Sequence, residues 1–248
     1  MMQKISHERD ANITFDEENH NYFVNKKKID YSVTEFIHQF FPEFDADQVI
    51  DTYYDMWQTN ERSPYFGLQK EEIKEQWKAN GEEASRLGSK LHKDIERFYN
   101  GEDVTNFSKE YAHFEKFHKD YCDLEPLKQE WCIYDEELGI AGSIDALFKL
   151  EDDIIIIDWK RSKEIKEQSQ EQGFYPLTHL PNANYWHYCL QLNMYKYILE
   201  KNYGLKIAGM NIVVMHPNQE TYQVLSIQDL NNEINDLVEL RLKELKSN

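Results

Sequence analysis

The stretch that decides the fold is GSIDALFKLEDDIIIIDWKRSK, residues 142–163. Residues 140–150 alternate loosely between apolar and polar types, whereas residues 154–159 form a nearly continuous β-branched run, which is typical of a strand buried on both faces. The polar residues between the two segments indicate a tight turn at 150–153. The sequence therefore predicts an antiparallel hairpin.

This predicted hairpin places Asp145 beside Asp158. Because side chains alternate along a strand, Asp158 and Lys160 project to one side and Trp159 to the other. Two carboxylates next to an ammonium form a patch of hard oxygen ligands, which suits Mg²⁺ or Mn²⁺. Taken alone, the same pattern also describes a surface hairpin whose acids are simply solvated.

A helix is predicted over residues 82–99, where apolar residues recur three and four apart. Gly88, His92 and Glu96 form a second row on it at i, i+4 spacing. The glycine permits close approach, and a neutral imidazole is a good metal ligand or a partner of one. A single histidine on a helix is also compatible with an ordinary surface position.

A second helical pattern covers residues 185–202, in which Gln191 and Tyr195 stand four apart on one face. An amide and a hydroxyl so placed can contact a phosphate or a base edge. They can equally form a buried polar pair within the core.

Four short motifs now stand in a fixed order: Gly88-x-x-x-His92, Gly142-x-x-Asp145, Asp158-x-Lys160 and Gln191-x-x-x-Tyr195. Together they resemble the PD-(D/E)xK nuclease superfamily. Within it, they are most similar to the RecB-like, Cas4-like branch with its QxxxY motif. The resemblance covers residues 81 to about 215. It implies an α/β restriction-endonuclease-like fold, whose core is an α-β-β-β-α-β mixed sheet flanked by helices.

The resemblance also implies roles for individual residues. His92, Asp145, Asp158 and the backbone carbonyl of Trp159 would bind the metal. Asp145, Asp158 and Lys160 would form the catalytic set, with Lys160 positioning or deprotonating the attacking water. Four further residues would bind nucleic acid or brace the site: Gln191, Tyr195, Arg161 and Lys163. Two more are candidates for additional active-site residues: Glu96 and Glu130.

The cysteine content narrows the choice of cofactor. The chain has three cysteines, at positions 122, 132 and 189, and no C-x-x-C, whereas some relatives hold an iron–sulfur cluster with four. We therefore expect Mg²⁺ or Mn²⁺ and no iron–sulfur cluster. In this respect the chain is similar to the cluster-free phage and viral exonucleases and the mitochondrial genome maintenance exonuclease.

Composition sets the remaining expectations. With 248 residues, 40% of them hydrophobic, the chain can bury one substantial core. We expect an N-terminal β-hairpin and helical elaboration over 1–80, packed on a nuclease core with a C-terminal helix over 81–248. The polar start and the lack of a long apolar run predict a soluble intracellular protein with no membrane partner.

The predicted secondary structure follows the same periodicities. A β-hairpin is expected at 13–24, and strands at 127–135, 139–149, 153–160, 207–215 and 221–227. Helices are expected at 33–41, 45–58, 70–80, 82–99, 107–121, 185–202 and 229–246. Aromatic residues gathered between 53 and 66 can either stack on unpaired bases or pack the faces of these helices.

The formal net charge of −18 counts against a nucleic-acid partner, because phosphate binding usually draws on a basic surface. Much of the acid lies in helical runs that are expected to face solvent, and Arg161 and Lys163 directly follow the second strand of the hairpin. The expected function is a metal-dependent DNA exonuclease acting on single strands or DNA ends in replication, repair or recombination, with any recombination or replication partner on a separate chain. The alternatives are a structure-specific or nicking endonuclease and a non-catalytic nucleic-acid-binding subunit.

Overall fold

The computed structural model describes residues 5–247, which form two compact units. One unit comprises the chain up to Pro42 together with the chain from His92 onward, and the other is Glu43–Leu91. The helices are α1 (Val33–His38), α2 (Ala46–Thr59), α3 (Lys70–Tyr99), α4 (Lys109–Asp120), α5 (Asn184–Asn202) and α6 (Asn231–Ser247), and a 3₁₀ helix covers Glu8–Asn12. The strands are β1 (Ile13–Asp16), β2 (Asn21–Val24), β3 (Lys27–Lys28), β4 (Tyr31–Ser32), β5 (Glu125–Asp135), β6 (Ile140–Leu150), β7 (Asp153–Lys160), β8 (Ile207–Val214) and β9 (Gln223–Ser226).

The larger unit is built on a mixed sheet in the order β4-β6-β7-β8-β9, with β5 also paired to β6. The β5/β6, β6/β7 and β8/β9 pairs are antiparallel, whereas β7/β8 and β4/β6 are parallel. The parallel β7/β8 pair requires a crossover, which α5 supplies. The predicted α/β class and the α-β-β-β-α-β order of the core are confirmed.

The hydrophobic core explains the position of β7 in the middle of this sheet. Ile156, Ile157 and Trp159 are buried between β6 and β8, as a β-branched run predicts. On α5, Leu190 and Ile198 are fully buried in the same core cluster as Ile156. The hairpin and α5 are therefore held by one continuous core, which fixes the backbone from which the candidate site projects.

The smaller unit contains the aromatic residues whose role the sequence left open. Its Trp57 ring lies 4.7 Å from Tyr65 and 6.0 Å from Trp77, measured between centroids. The indole N–H of Trp77 also donates a hydrogen bond to the Tyr65 hydroxyl at 2.9 Å. These three rings pack on one another between α2 and α3, as the packing interpretation expects.

The predicted helix boundary between residues 80 and 82 is wrong. The helices expected at 70–80 and 82–99 form the single helix α3, because Gly81 costs only about 1 kcal/mol inside a helix. Strands β3 and β4 have two residues each, too short for a periodic signal. The predicted domain boundary at 80/81 falls within α3. None of the helices in residues 5–247 combines the length and apolarity needed to span a bilayer.

Candidate active site

The β6/β7 hairpin brings the two aspartates together as predicted. Ala146 and Ile157 are the last pair of the β6/β7 ladder, and Asp145 and Asp158 are the residues directly beyond it on the two strands. The Trp159 backbone N–H donates a hydrogen bond of 2.8 Å to Asp145 Oδ2. Both carboxylates are buried, with Asp158 only 2% exposed. Burial of two acids side by side is costly unless cations compensate them, so this pair is unlike a solvated surface hairpin.

Strand β5 adds Glu130 to the pair. Gln129 pairs with Ala146 and Trp131 with Ile144, so Glu130 lies opposite Asp145. Its backbone has a φ of 45°, a left-handed conformation that is strained for a glutamate. Strain of this kind concentrates at functional sites, where the surrounding structure holds the residue in place.

The last turns of α3 bring His92 to these carboxylates. His92 Nδ1 lies 3.4 Å from Asp145 Oδ2 and 3.6 Å from Glu130 Oε1. One ligand atom from each of the three residues lies within 4.8 Å of the other two. Burial lowers the pKa of His92, but Asp145 and Glu130 outweigh it and hold this pKa well above its usual value.

The carbonyl of Trp159, a predicted metal ligand, also lies at this point. His92 Nε2 donates a hydrogen bond to it at 2.8 Å. Nδ1 and Nε2 point to different sides of the imidazole ring, and Nδ1 is the nitrogen that faces Asp145 and Glu130. His92 would give a metal one of these two nitrogens, and the contact made by the other would hold the ring in place.

Asp158 is paired with Lys160, which projects from the same side of β7. Lys160 Nζ lies 2.6 Å from Asp158 Oδ2, while the Trp159 ring packs in the other direction against Phe114 and Phe117. Burial, together with the charge of Asp145, raises the pKa of Asp158 to about 6. Burial lowers the pKa of Lys160, but the two aspartates raise it more, so this lysine is a cation at neutral pH.

Gln191 and Tyr195 of α5 complete the arrangement around the lysine. Gln191 Oε1 lies 3.5 Å from Lys160 Nζ, and Gln191 Nε2 lies 3.1 Å from the Tyr195 hydroxyl. Tyr195 is buried and fills the space above Gly142. The two residues therefore brace the lysine in this structure, and Gln191 alone of the pair retains notable exposure.

The other predicted site residues lie apart from this cluster. Arg161 Nε forms a 2.8 Å ion pair with Glu110, in which both side chains are largely buried. Lys163 is exposed. Glu96 lines a separate cavity of about 120 Å³ beside Tyr99 and β5. Neither Arg161 nor Glu96 belongs to the group of converging ligands found among the described residues.

Taken together, the donor set fits a divalent cation. Glu130 and Asp145 converge on His92, and Asp158, which lies outside this group of converging ligands, is held by Lys160 on the neighbouring strand. Burial, together with the charge of Asp145, raises the pKa of Glu130. Oxygen-rich sites with excess negative charge are the ones that Mg²⁺ and Mn²⁺ prefer.

Sequence reasoning left one feature beside Lys160 unnoticed, a cleft between α1 and α5 that His187 borders. A signal for it was present, because His187 precedes Gln191 by four residues and so extends the Gln191/Tyr195 row by one turn. The contribution of α1 carries no comparable local signal.

Comparison with known proteins agrees with the geometry. Residues 36–247 match the family model described as PD-(D/E)XK nuclease superfamily, and this chain belongs to that superfamily. Nucleases of this superfamily use divalent metals. No protein of curated function is significantly similar to the chain in sequence.

Two solved structures share partial similarity. The crystal structure of SSO0001 is 15% identical with a TM-score of 0.35, and the alignment covers 86% of this chain and 75% of that one. The crystal structure of an alkaline exonuclease, LHK-Exo from Laribacter hongkongensis, is 15% identical with a TM-score of 0.34. That alignment covers 60% of this chain and 73% of the other.

Proposed function

We propose that this protein is a metal-dependent DNA exonuclease that hydrolyses phosphodiester bonds, favouring single strands or DNA ends, within replication, repair or recombination. The observation that carries the proposal is the convergence of His92, Glu130 and Asp145 beside the buried Asp158–Lys160 pair. Membership of the nuclease superfamily supports hydrolysis as the reaction class.

His92, Asp145, Asp158 and the Trp159 carbonyl are the proposed metal ligands, and Glu130 joins them as a further carboxylate in direct reach. Mg²⁺ or Mn²⁺ held there would polarise the phosphate oxygens and favour ionisation of water at neutral pH. The protein contributes a fixed, partly buried set of acids whose mutual repulsion a cation relieves.

Lys160 is proposed to hold the attacking water and to stabilise negative charge on the phosphate. An ammonium has no lone pair to accept a proton, so the high pKa of Lys160 favours this electrostatic role over the role of base. Gln191 fixes the lysine through its amide oxygen, and Tyr195 fixes Gln191. This bracing is the function we assign to the Gln191-x-x-x-Tyr195 motif, and with it we place the chain in the RecB-like branch.

DNA binding must overcome the net charge of −18. The proposed metal neutralises phosphate locally, and Lys163 is exposed just beyond β7. Arg161 is occupied by Glu110, so its proposed role is to hold the end of β7 against α4. Because few lysine and arginine side chains would contact phosphates, the affinity for DNA should fall only slowly as the salt concentration rises.

The direct test is to incubate the purified protein with end-labelled single-stranded and double-stranded DNA and either Mg²⁺ or Mn²⁺. We expect stepwise shortening from an end, faster on single strands, which a chelator stops. Asp158→Asn and Lys160→Ala should slow it at least about 100-fold. The matched control is Asp153→Asn, which changes an exposed aspartate at the start of the same strand and should cleave like wild type.

Two further substrates separate the alternatives. Cleavage of circular single-stranded DNA would replace the exonuclease proposal with an endonuclease. Binding of DNA without any metal-dependent cleavage would indicate a non-catalytic subunit.

A further inference from the structure

A cleft of about 290 Å³ lies between α1 and the first turns of α5, beside Lys160. We name it the α1/α5 cleft. The residues that matter for its chemistry are Thr34, His38, His187, Tyr188, Gln191 and Lys160. Its volume is at the lower end of the range of roughly 300–1,000 Å³ that small-molecule pockets occupy, so it fits one small ring system better than an extended chain.

The cleft is continuous with the proposed catalytic centre. Lys160 borders it while contacting Asp158 at 2.6 Å, and Gln191 borders it while contacting Lys160. A group bound in the cleft therefore lies next to a phosphate that Lys160 holds. In a nucleic acid, the groups next to a phosphate are a sugar and a base.

Three of the eight residues that line the cleft carry rings, namely His38, His187 and Tyr188. The Tyr188 ring lies under Lys160, with Nζ 4.7 Å from its centroid. The His187 ring lies 5.2 Å from His38 and 4.3 Å from Phe41, between centroids. Lys160 covers one face of Tyr188, so the partly exposed His187 ring is the main stacking surface of the cleft. Stacking tolerates any base because every base has a π-face.

The hydrogen bonds of His187 show which of its ring nitrogens carries the proton in the neutral ring. Asn182 Nδ2 lies 3.0 Å from both Pro42 O and Glu171 Oε2, which fixes the orientation of its amide. Asn182 Oδ1 therefore accepts from His187 Nε2 at 3.0 Å, and Nδ1 is left as a lone-pair acceptor. In the neutral ring this atom has no proton to donate to a phosphate oxygen.

The charge state agrees with this hydrogen bonding. Burial, assisted by the nearby His38, lowers the pKa of His187 to about 4, and partial burial lowers the pKa of His38. Both imidazoles are neutral at pH 7. Neutral rings suit stacking and offer no full charge to a phosphate.

We infer that the α1/α5 cleft is a nucleobase subsite, which receives the base beside the scissile phosphate and stacks it on His187. The inference rests on the proposed function, because it places the phosphate at Lys160. It gives a physical reason for a preference for unpaired DNA, since a base can enter the cleft only after leaving its partner strand.

The test compares the binding of dAMP and of 2-deoxyribose 5-phosphate, in which a hydroxyl replaces the base, to the full chain in the presence of Mn²⁺. Titration calorimetry should give at least tenfold tighter binding of dAMP. His187→Leu should weaken dAMP binding at least fivefold and leave the base-free ligand unchanged, while His187→Phe keeps most of the dAMP affinity. His179→Leu, which removes an exposed histidine elsewhere, should change neither.

Equal affinity of wild type for the two ligands, or no detectable dAMP binding, would overturn the subsite. So would an equal loss of both affinities in His187→Leu with an unchanged circular dichroism spectrum, since that result indicates an anion site. Cleavage of end-labelled DNA is measured on the same preparations. Cleavage without base-dependent binding contradicts the subsite alone, whereas base-dependent binding without cleavage contradicts the proposed nuclease function alone.

Discussion

Gly142 and Tyr195 share one small space, because a Cβ atom on Gly142 would lie 2.7 Å from Cε1 of the tyrosine ring and 3.1 Å from its hydroxyl oxygen. Real Cβ contacts are not this short, and the ring cannot move freely since Tyr195 is 3% exposed. The absence of a side chain at Gly142 on β6 therefore leaves the space that the Tyr195 ring of α5 occupies. Through Gln191, it also decides where Lys160 is held.

Gly142→Ala should accordingly reduce both stability and cleavage. Overpacking in a core typically costs about 1–3 kcal/mol of unfolding free energy, and displacement of Tyr195 releases Gln191 from Lys160. Thermal denaturation and the cleavage rate measure the two effects. The control is Gly209→Ala on β8, whose Cβ would meet Ile155 Cγ2 at 3.4 Å, an ordinary contact. Wild-type cleavage by Gly142→Ala would contradict the bracing role of Tyr195.

Lys160→Ala should separate chemistry from metal binding. Removal of a group that stabilises transition-state charge costs about 100-fold to 1,000-fold in rate. Metal affinity should be maintained or improved, because the cation beside Asp158 is removed. Calorimetric titration with Mn²⁺ and single-turnover cleavage report the two quantities. Lys149→Ala, on β6 and partly exposed, is the control. Loss of Mn²⁺ binding in Lys160→Ala would argue against the assigned role.

Glu130→Gln tests whether the strained glutamate belongs to the metal site. The amide keeps the shape of the side chain but removes the charge, so Mn²⁺ binding should weaken at least tenfold. The melting temperature of the metal-free protein should not fall, because the raised pKa of Glu130 shows that its charged form is disfavoured in the fold. Glu125→Gln, exposed at the start of the same strand, is the control. Unchanged Mn²⁺ affinity would place Glu130 outside the metal site.

The buried pair of Arg161 and Glu110 should be structural. Glu110→Ala leaves a buried guanidinium without its partner, which typically costs about 3–5 kcal/mol. The double variant Glu110→Leu with Arg161→Met should recover much of this loss in chemical denaturation. The exposed pair of Arg97 and Glu102 offers the comparison, and its disruption should lower the stability much less than Glu110→Ala does. If Glu110→Ala leaves the free energy of unfolding nearly unchanged, the pair is not structural, and Arg161 would be available for contact with DNA.

His187 should make stability depend on pH. Its pKa in the folded protein, about 4, lies below the ordinary value of 6.5, so the unfolded chain takes up its proton first. The folded state therefore loses stability as pH falls from about 6.5 towards 4 and regains it on the return. After allowance for partial solvent exposure, the effect is on the order of 1 kcal/mol. His187→Leu should lose less stability than wild type over this interval in urea titrations, while His179→Leu should follow wild type. Parallel pH profiles for wild type and His187→Leu would contradict this prediction.

The sequence predicts the hairpin well because strand periodicity and the β-branched run are local signals. Asp145, Asp158 and Lys160 follow from that hairpin, since pairing and alternation fix their common side. The placement of Glu130 opposite Asp145 depends on pairing between β5 and β6 and on a backbone φ of 45°, neither of which is written in residue types. Its proximity to His92 could be anticipated only from the resemblance to relatives.

Other features depend on tertiary structure alone. The α1/α5 cleft needs α1 to reach α5, and the two-residue strand β4 that leads into α1 carries no periodic signal. The continuity of α3 through Gly81 was missed because a single glycine resembles a helix end in sequence. The burial of Arg161 was missed because its partner, Glu110, lies on a helix fifty-one residues earlier.

The hydrogen bond from the Trp159 backbone N–H to Asp145 Oδ2 gives the Asp145 carboxylate a structural role beside its proposed catalytic one. The same group that is proposed to bind metal also fastens the backbone of β7 where the strand leaves its ladder with β6. A substitution that removes the hydrogen-bond acceptor at position 145 would therefore also destabilise the sheet. In a homologue that has lost catalysis, we expect Asp or Asn to remain at this position after His92 and Lys160 have been substituted.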